Sequence, residues 1–402
     1  MASNRPSTLL LRVDGFGWQD CLATGPGSAI LGSLLFSALF PAPMSVKFLL
    51  RVAGTLLLAW AAAAACVALH TPLPWMLGPL VATSVLSMAG APTESWGPLR
   101  NGGQWAIGAA LGLYFTPEVS ALVGSLWWAI VLGIGWALLL GWGFGAWLYR
   151  LHAPRMHGVP ASMLRSTSYF AGAIGAASEM TLLSERENAR TDLVAASHSL
   201  RLLIVTITIP FALQWSGLQG LDILIPTVRD VSWPGLALLA LLTGAGALVM
   251  DRLGRANPWF MGAMLVSMAV TMAGLHLSAV PQAVVNAAQL VIGVSLGVRF
   301  RAEFLHTAPR WLASVAVGTF GLMGICAAFA AVLAWATGLP WVTLLLGTSP
   351  GGITEMAITA KVLQLGVPVV TAFQVCRLIA VLMLVGPMFR RIYPPTEGGS
   401  AI

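Results

Sequence analysis

Residues 348–356, Thr-Ser-Pro-Gly-Gly-Ile-Thr-Glu-Met, interrupt a long apolar run in the last quarter of the chain. A proline followed by two glycines stops one helix and opens another, because proline lacks a backbone donor and glycine tolerates turn conformations. The stretch carries Glu355, and Arg377 follows twenty-two residues later in an equally apolar context, Val-Cys-Arg-Leu-Ile. The pattern predicts a broken helix with two charged side chains at membrane depth.

The same spacing occurs earlier in the chain. Glu179 lies in Gly-Ala-Ala-Ser-Glu-Met, and Arg201 follows twenty-two residues later in Ser-Leu-Arg-Leu-Leu. A charge placed deep in hydrocarbon costs at least about 2.5–3.5 kcal/mol, so such residues usually face a partner or a polar cavity. Two matched pairs therefore predict a duplicated polar site in a membrane protein.

The composition requires lipid as the solvent. The chain of 402 residues is 57% hydrophobic and only 9% charged, whereas an ordinary soluble domain is about 25% charged. Its net charge of +7 comes mostly from short connections between apolar segments. In a soluble protein a basic excess would indicate nucleic acid. Here we interpret it as loop charge that orients the helices in a bacterial cytoplasmic (inner) membrane.

The cysteines and histidines show no pattern typical of a metal site or a disulfide framework. The four cysteines (Cys21, Cys66, Cys326 and Cys376) are scattered and form no CxxC motif. The six histidines are equally dispersed, with no HxH or HxxxH pair. We predict no metal, no cofactor and no catalytic residue.

Two blocks of sequence match each other in order, which indicates an internal duplication. Pro74-Trp75 corresponds to Pro258-Trp259 and Gln104 to Gln289, before the two Glu-Met and Arg-Leu pairs. Internal repeats are typical of secondary transporters. The resulting division is a leader or over-extended start at 1–43, expected to be disordered, a first repeat at 44–213, a linker at 214–231, a second repeat at 232–391 and a C-terminal tail at 392–402.

The loops predict how the two repeats are oriented. The expected fold is an all-α integral membrane protein of about ten transmembrane helices, in two inverted repeats of five crossings each. With this number of crossings, the basic connections and both termini lie in the cytoplasm. This placement requires the interrupted segments 166–184 and 340–364 to enter and leave on the same side, surrounded by protein or a watery cavity. Full crossings by broken helices are the alternative.

The interrupted segments also predict the site. A half-helix that begins inside the membrane presents free N–H groups and a positive dipole end, which together with a guanidinium group suit a carboxylate or similar oxyanion. Glu179 and Glu355 are candidates to carry coupling protons. The predicted substrate-binding residues are Gln104, Ser178, Glu179, Arg201, Gln289, Pro350, Gly351, Gly352, Thr354, Glu355 and Arg377.

Two plainer interpretations of these residues stay open. The pairs Glu179–Arg201 and Glu355–Arg377 are also explained by salt bridges that lock the helices together. Likewise, Gln104 and Gln289 suit interhelical hydrogen bonds as well as they suit a cavity wall.

The duplicated Pro-Trp-x-x-Gly, the Gly-x-x-Leu-Gly motifs and the closing Thr-Ser-Pro-Gly-Gly-Ile-Thr-Glu-Met resemble those of the bacterial AbrB-type membrane protein family. The resemblance covers nearly everything from Met44 to Tyr393. It implies a "membrane AbrB duplication", and family labels of gene regulator or ammonia monooxygenase. The family is also distantly similar to the cation/proton antiporter and anion transporter superfamily, with its inverted repeats and broken helices. The monooxygenase label conflicts with the dispersed histidines, because copper sites need His-rich ligand sets, and we expect no enzyme activity.

Two functional hypotheses follow. The first is a secondary transporter of a small anionic metabolite, coupled to protons or sodium. The second is a membrane sensor that affects gene expression indirectly. In both, the expected partners are the lipid bilayer and a small anionic ligand, and homo-oligomerisation is left open. Direct nucleic-acid binding is not expected, since no stretch outside the membrane is long enough for a helix-turn-helix domain.

Overall fold

The computed structural model describes residues 45–156, 158–217, 230–300 and 308–394. The chain divides into a short unit, Met1–Leu49, and a large unit, Leu50–Ile402. The short unit contributes, among its described residues, the first turn of one helix. The predicted leader and most of the predicted linker and C-terminal tail lie outside the described residues.

Helices form the fold, and the described ranges contain no strand. The first half of the chain contains α1 (Val46–Ala68), α2 (Pro74–Met88), α3 (Gly97–Gly112), α4 (Pro117–Ser125), α5 (Trp127–His152), α6 (Ala161–Gly172), α7 (Ala177–Arg186) and α8 (Thr191–Ser216). The second half contains α9 (Trp233–Arg252), α10 (Pro258–Met272), α11 (Gln282–Gly297), α12 (Pro309–Thr337), α13 (Trp341–Thr348), α14 (Ile353–Val362) and α15 (Val367–Ile392).

Length and hydropathy identify the membrane-spanning helices. Among the described residues, six helices are long and apolar enough to cross a membrane: α1, α5, α8, α9, α12 and α15. The pair α3 and α4, bent by 90°, makes a seventh if it is one span. The apolar helices α2, α10 and α11 are shorter, with 15 or 16 residues, below the roughly 17–25 of an independent span. The chain is thus a multi-pass helical membrane protein, and the count of ten stays a prediction.

The helices α2 and α10 begin with the same local structure. Each starts with Pro-Trp, and proline suits the first helical position, where its missing N–H would be unpaired anyway. The residue before each proline has a left-handed backbone, with φ of 48° at Leu73 and 51° at Asn257. Asparagine tolerates this conformation more readily than leucine does. The conformation therefore belongs to the Pro-Trp turn and not to the side chain that precedes it.

Glycines let α3 pack against α10 at backbone distance. A Cβ added at Gly108 would collide with the carbonyl oxygen of Phe260, and one at Gly112 would come within 2.5 Å of the carbonyl oxygen of Met264. Close approach of this kind is typical of helix packing in membranes. The hydrophobic effect does not hold helices together in lipid, so van der Waals contact does, and small residues allow that contact.

The same packing recurs between α11 and α2. A Cβ at Gly293 would come within 2.5 Å of the carbonyl oxygen of Met76, and one at Gly297 within 2.8 Å of that of Leu80. Gly293 and Gly297 are the residues that sequence matching pairs with Gly108 and Gly112. Matched residues in the two halves thus make matched contacts, each across to the other half.

Two predicted interruptions are present. In the first half, α6 ends at Gly172 and α7 begins at Ala177; in the second, α13 ends at Thr348 and α14 begins at Ile353. The residues before α7 and α14, Ala176 and Gly352, are extended and provide no side-chain cap. The residue that precedes each second half-helix therefore provides no side-chain cap for the first N–H groups.

Candidate functional site

Both interruptions open onto one cavity of about 380 Å³. Its wall includes residues 174–179 from the first break and residues 350–355 from the second. Asp251, Arg255 and Arg299 in its wall are exposed, whereas Arg201 and Arg377 are only 3% and 6% exposed. The cavity thus leads from a solvated, charged entrance to a buried polar end.

Ten of the eleven residues that the sequence predicts for the site line this cavity: Gln104, Ser178, Glu179, Arg201, Pro350, Gly351, Gly352, Thr354, Glu355 and Arg377. The exception is Gln289, which lies in α11 with 2% of its surface exposed and does not contribute to the cavity wall. The expectation that Gln104 and Gln289 share one cavity was therefore wrong. The packing of α11 against α2 and α3 explains this, since it buries the Gln289 side of the helix.

Arg201 binds the carbonyl end of the first broken helix. Its Nη1 and Nη2 atoms donate to the carbonyl oxygens of residues 171–173, and the bond to Ala173 is 2.7 Å long. Nη2 also lies 2.8 Å from Nδ1 of His198. The last carbonyls of a helix have no partner within the helix and carry partial negative charge. Arg201 therefore stabilises the end of α6 in place of a water or a bound cation.

Arg377 likewise binds main-chain carbonyls at the interruption of the second broken helix. It donates to the carbonyl oxygen of Ser349 and, over 2.9 Å, to that of Gly351. It also donates to Oε1 of Gln374 over 2.6 Å. Its Nε atom is buried and makes no hydrogen bond with any described residue. An unpaired buried donor is unusual in a folded protein.

The salt-bridge interpretation of the two Glu–Arg pairs is wrong for this structure. All four residues lie in the described ranges, and neither Glu179–Arg201 nor Glu355–Arg377 is among the ion pairs there. Both arginines bind main-chain carbonyls instead. The physical reason is location: each arginine lies at the end of the first half-helix, whereas each glutamate lies in the first turn of the second.

The two glutamates differ in environment. Glu355 is 7% exposed, and its carboxylate lies against the start of its own helix, where a Cβ on Gly352 would collide with Oε2. Glu179 is half-buried and also lines the cavity. The residue that corresponds to Gly352 in the first half is Ala176, whose side chain occupies that space. The glycine thus lets the second carboxylate fold back over the N-terminus of α14.

Sequence reasoning missed the charged entrance. Arg100, Asp251, Arg255, Asn257 and Arg299 line the cavity, but the sequence patterns assigned the three arginines among them to connections that orient the helices and no role to the other two. One signal was available in the sequence: none of these charged residues has a charged counterpart at the matching position of the other repeat. In the register that pairs the repeats, Val285 stands opposite Arg100 and Tyr114 stands opposite Arg299. Polar residues without a counterpart mark the half of the site that is exposed in this conformation.

The cavity carries an excess of positive charge. Five arginines and three carboxylates line it, so its formal charge is positive. Arg299 interacts electrostatically with Arg100 and with Glu355, and Arg201 with Arg377. No three His, Cys, Asp or Glu side chains group as a metal site within the described part of the chain. The arrangement suits binding of a small anion.

These features define a class: a multi-pass helical membrane protein whose interrupted helices line a polar, positively charged cavity. A family model described as "Transition state regulatory protein AbrB" matches residues 75–393. The chain therefore belongs to the AbrB family, in agreement with the resemblance seen in its motifs.

Two curated relatives align over most of their length. The Bacillus subtilis (strain 168) protein named "Uncharacterized protein YhjN" is 25% identical over 355 residues, which cover 79% of this chain and 87% of the relative. The Escherichia coli (strain K12) protein named "Putative regulator AbrB" is 26% identical over 332 residues, covering 81% of this chain and 91% of the relative. The described helices, with the cavity they form, lie mainly within the region that the family model matches.

Proposed function

We propose that the protein is a secondary transporter of a small anionic metabolite and that the cavity is its substrate site. One observation carries the proposal: the N-termini of α7 and α14 and the two buried arginines line the same cavity. Helix N-termini attract anions through free N–H groups and the helix dipole. Arginine adds charge-assisted hydrogen bonds to carboxylates and phosphates.

The transport proposal also uses the arrangement of the two halves. We propose that they are inverted repeats of five crossings each, about ten in all, with the substrate site at their interface. The basic entrance, with Arg255 and Arg299, then faces the cytoplasm under the positive-inside rule. In this arrangement the described conformation is the inward-open one, and exchange of the two halves' conformations would open the site to the other side.

Protons are the coupling ion that the site favours. In many transporters the carbonyl ends of interrupted helices hold a sodium ion, but here guanidinium groups occupy those carbonyls in both halves. Glu355 covers the N-terminus of α14 with its own carboxylate, in competition with an incoming anion. Protonation would remove that charge and open the N-terminus to substrate. The other charged groups on the same cavity wall are Arg100, Glu179, Arg201, Asp251, Arg255, Arg299 and Arg377, with His198 beside Arg201.

A thermal-shift screen of purified protein against acetate, succinate, citrate, phosphate and sulfate, with amines as negative controls, tests the binding step. A ligand at a hundredfold excess over its Kd stabilises the native state by about 2.7 kcal/mol. We expect anions but not amines to shift the unfolding temperature. Arg299→Gln should weaken the shift, whereas Arg390→Gln, which changes an exposed arginine paired with Glu187, should leave it unchanged. Equal loss in both variants would contradict the proposed site.

The coupling step is tested by the pH dependence of the same shift. In the wild-type protein, anion binding should tighten as the pH falls and Glu355 takes up a proton. Glu355→Gln imitates the protonated form, so its binding should be tight and nearly independent of pH. Glu187→Gln is the matched control outside the cavity. A wild-type pH profile in Glu355→Gln would assign the coupling proton elsewhere.

Flux in liposomes separates transport from sensing. A membrane sensor that acts on gene expression indirectly would bind the anion without moving it. Uptake of the binding anion into proteoliposomes, driven by an imposed pH gradient and lost with the gradient, is the expected result. Binding without flux would favour the sensor.

A further inference from the structure

His198 is held between an arginine and a carbonyl group. It is 3% exposed in α8. Its Nδ1 atom lies 2.8 Å from Nη2 of Arg201, and its Nε2 atom lies 2.9 Å from the carbonyl oxygen of Phe170. A guanidinium group only donates and a carbonyl only accepts. Nδ1 must therefore accept and Nε2 must donate, which fixes a neutral imidazole with its hydrogen on Nε2.

Gln374 makes the corresponding contacts in the second half. It is fully buried in α15. Its Oε1 atom accepts from Nη2 of Arg377 over 2.6 Å, and its Nε2 atom donates to the carbonyl oxygen of Leu346 over 2.7 Å.

The correspondence extends to the arginine and to one helix carbonyl, while Gln374 also donates to the carbonyl oxygen of Ser349 over 3.4 Å. Gln374 aligns with His198, Arg377 with Arg201, and Leu346 with Phe170 in the register that pairs the two glutamates. Two chemically different side chains thus each provide an acceptor for the arginine of their own half and a donor for the corresponding helix carbonyl. An amide does not take up a proton at ordinary pH, so the role common to both residues is hydrogen-bonding geometry and not proton transfer.

We propose that His198 and Gln374 are positioning residues for the substrate site: each orients its arginine so that the guanidinium group both caps the broken helix and faces the cavity. The inference rests on the proposed function for its ligand, although the geometry it describes exists without one. Loss of the acceptor would let the guanidinium rotate away from the cavity wall. Loss of the donor would remove the bond to the buried Phe170 carbonyl in the first half, whereas the Leu346 carbonyl in the second half would keep its bond from Oγ of Ser349.

Exchange of the two side chains is the direct test. His198→Gln supplies the same acceptor and donor, whereas His198→Leu removes both at similar volume. Gln374→His and Gln374→Leu form the matched pair in the second half. With succinate and inorganic phosphate as probes in thermal-shift titrations, we expect the exchange variants to bind within about threefold of wild type. The leucine variants should bind at least about tenfold more weakly, the factor that a lost hydrogen bond to a charged group implies. Equal binding by His198→Leu and His198→Gln would overturn the proposal.

A spectroscopic measurement keeps the inference testable if a leucine variant fails to fold or no anion binds. Nitrogen NMR of the wild-type protein labelled with ¹⁵N-histidine should show His198 as the neutral form with its hydrogen on Nε2, identified by its absence in His198→Gln. A charged ring or the other tautomer would overturn the positioning role. If the expected tautomer is found but no anion binds, only the proposed function is contradicted. The unfolding temperatures of the variants then test the hydrogen bonds themselves: the leucine variants should unfold at lower temperature than the exchange variants, and equal unfolding temperatures would overturn the role.

Discussion

At the residue scale, one missing side chain distinguishes the two halves of the site. Gly352 leaves room for the Glu355 carboxylate at the start of α14, whereas Ala176 fills the equivalent place before α7. The backbone of Gly352, with φ of −76° and ψ of 151°, is one that any residue adopts. The glycine is therefore required by the contact with the carboxylate and not by backbone conformation.

Gly352→Ala is expected to displace the Glu355 carboxylate and to expose the N-terminus of α14 to ligand. An anion at a helix N-terminus gains about 0.3–1 kcal/mol. Anion affinity at neutral pH should therefore rise roughly two- to fivefold, and its dependence on pH should flatten. Isothermal titration across pH measures both effects. Gly135→Ala, at an exposed glycine with open space around it, is the control; unchanged affinity in a well-folded Gly352→Ala protein would contradict the explanation.

At the scale of the helix, each interrupted segment has two ends with different roles. The carbonyl ends of α6 and α13 are satisfied from within the protein by Arg201 and Arg377. The N-termini of α7 and α14 line the cavity and receive no cap from the preceding side chain, although the Glu355 carboxylate lies over the N-terminus of α14. Because the arginines neutralise the negative ends, the positive ends dominate this part of the cavity wall, and the Glu355 carboxylate is the group that offsets the one at α14.

The glycine contacts between helices of opposite halves should be sensitive to a single methyl group. Gly108→Ala and Gly293→Ala place a Cβ against a carbonyl oxygen of the neighbouring helix, and backbone atoms cannot move aside as a flexible side chain can. Overpacking of this kind destabilises by about 1–3 kcal/mol. Thermal unfolding in detergent should show similar losses for both variants and little change for Gly135→Ala. A loss in only one variant would argue against equivalent packing in the two halves.

At the scale of the whole molecule, the charged entrance breaks the correspondence between the halves. The buried end of the cavity is built from matched residues, but the exposed Asp251, Arg255 and Arg299 and the half-buried Arg100 line it without charged counterparts. A transporter that opens alternately to two sides needs matched binding residues at its centre, but the residues at its two entrances can differ. The asymmetry thus agrees with a proposed site that is open on one side only.

Accessibility of single cysteines tests the inverted arrangement. In a variant that lacks the native cysteines, a single cysteine is introduced at Arg155, Arg186 or Gln364, which are exposed positions at helix ends. If the interrupted segments are re-entrant, Arg155→Cys and Arg186→Cys should react with a membrane-impermeant thiol reagent only from the cytoplasm. Gln364→Cys should react only from outside. Reaction of Arg186→Cys from outside would show that the first interrupted segment crosses the membrane completely.

The sequence by itself determined the residues that carry charge into the membrane. Composition required a lipid environment, the Pro-Gly-Gly stretch predicted an interrupted helix, and the repeated Glu–Arg spacing located the polar site in both halves. These features are local, because helix-breaking chemistry and the energy of a charge in hydrocarbon depend on the residue and its neighbours along the chain.

Only the tertiary structure decided which groups meet. In the structure Arg201 and Arg377 bind carbonyl oxygens and not the glutamates. Gln289 lies outside the cavity wall, whereas Arg100, Asp251, Arg255 and Arg299 line it. The structure also showed that His198 and Gln374 each accept a hydrogen bond from the arginine of their own half. The physical reason is that hydrogen-bond partners depend on distances between helices far apart in sequence, and a spacing along one chain does not contain those distances.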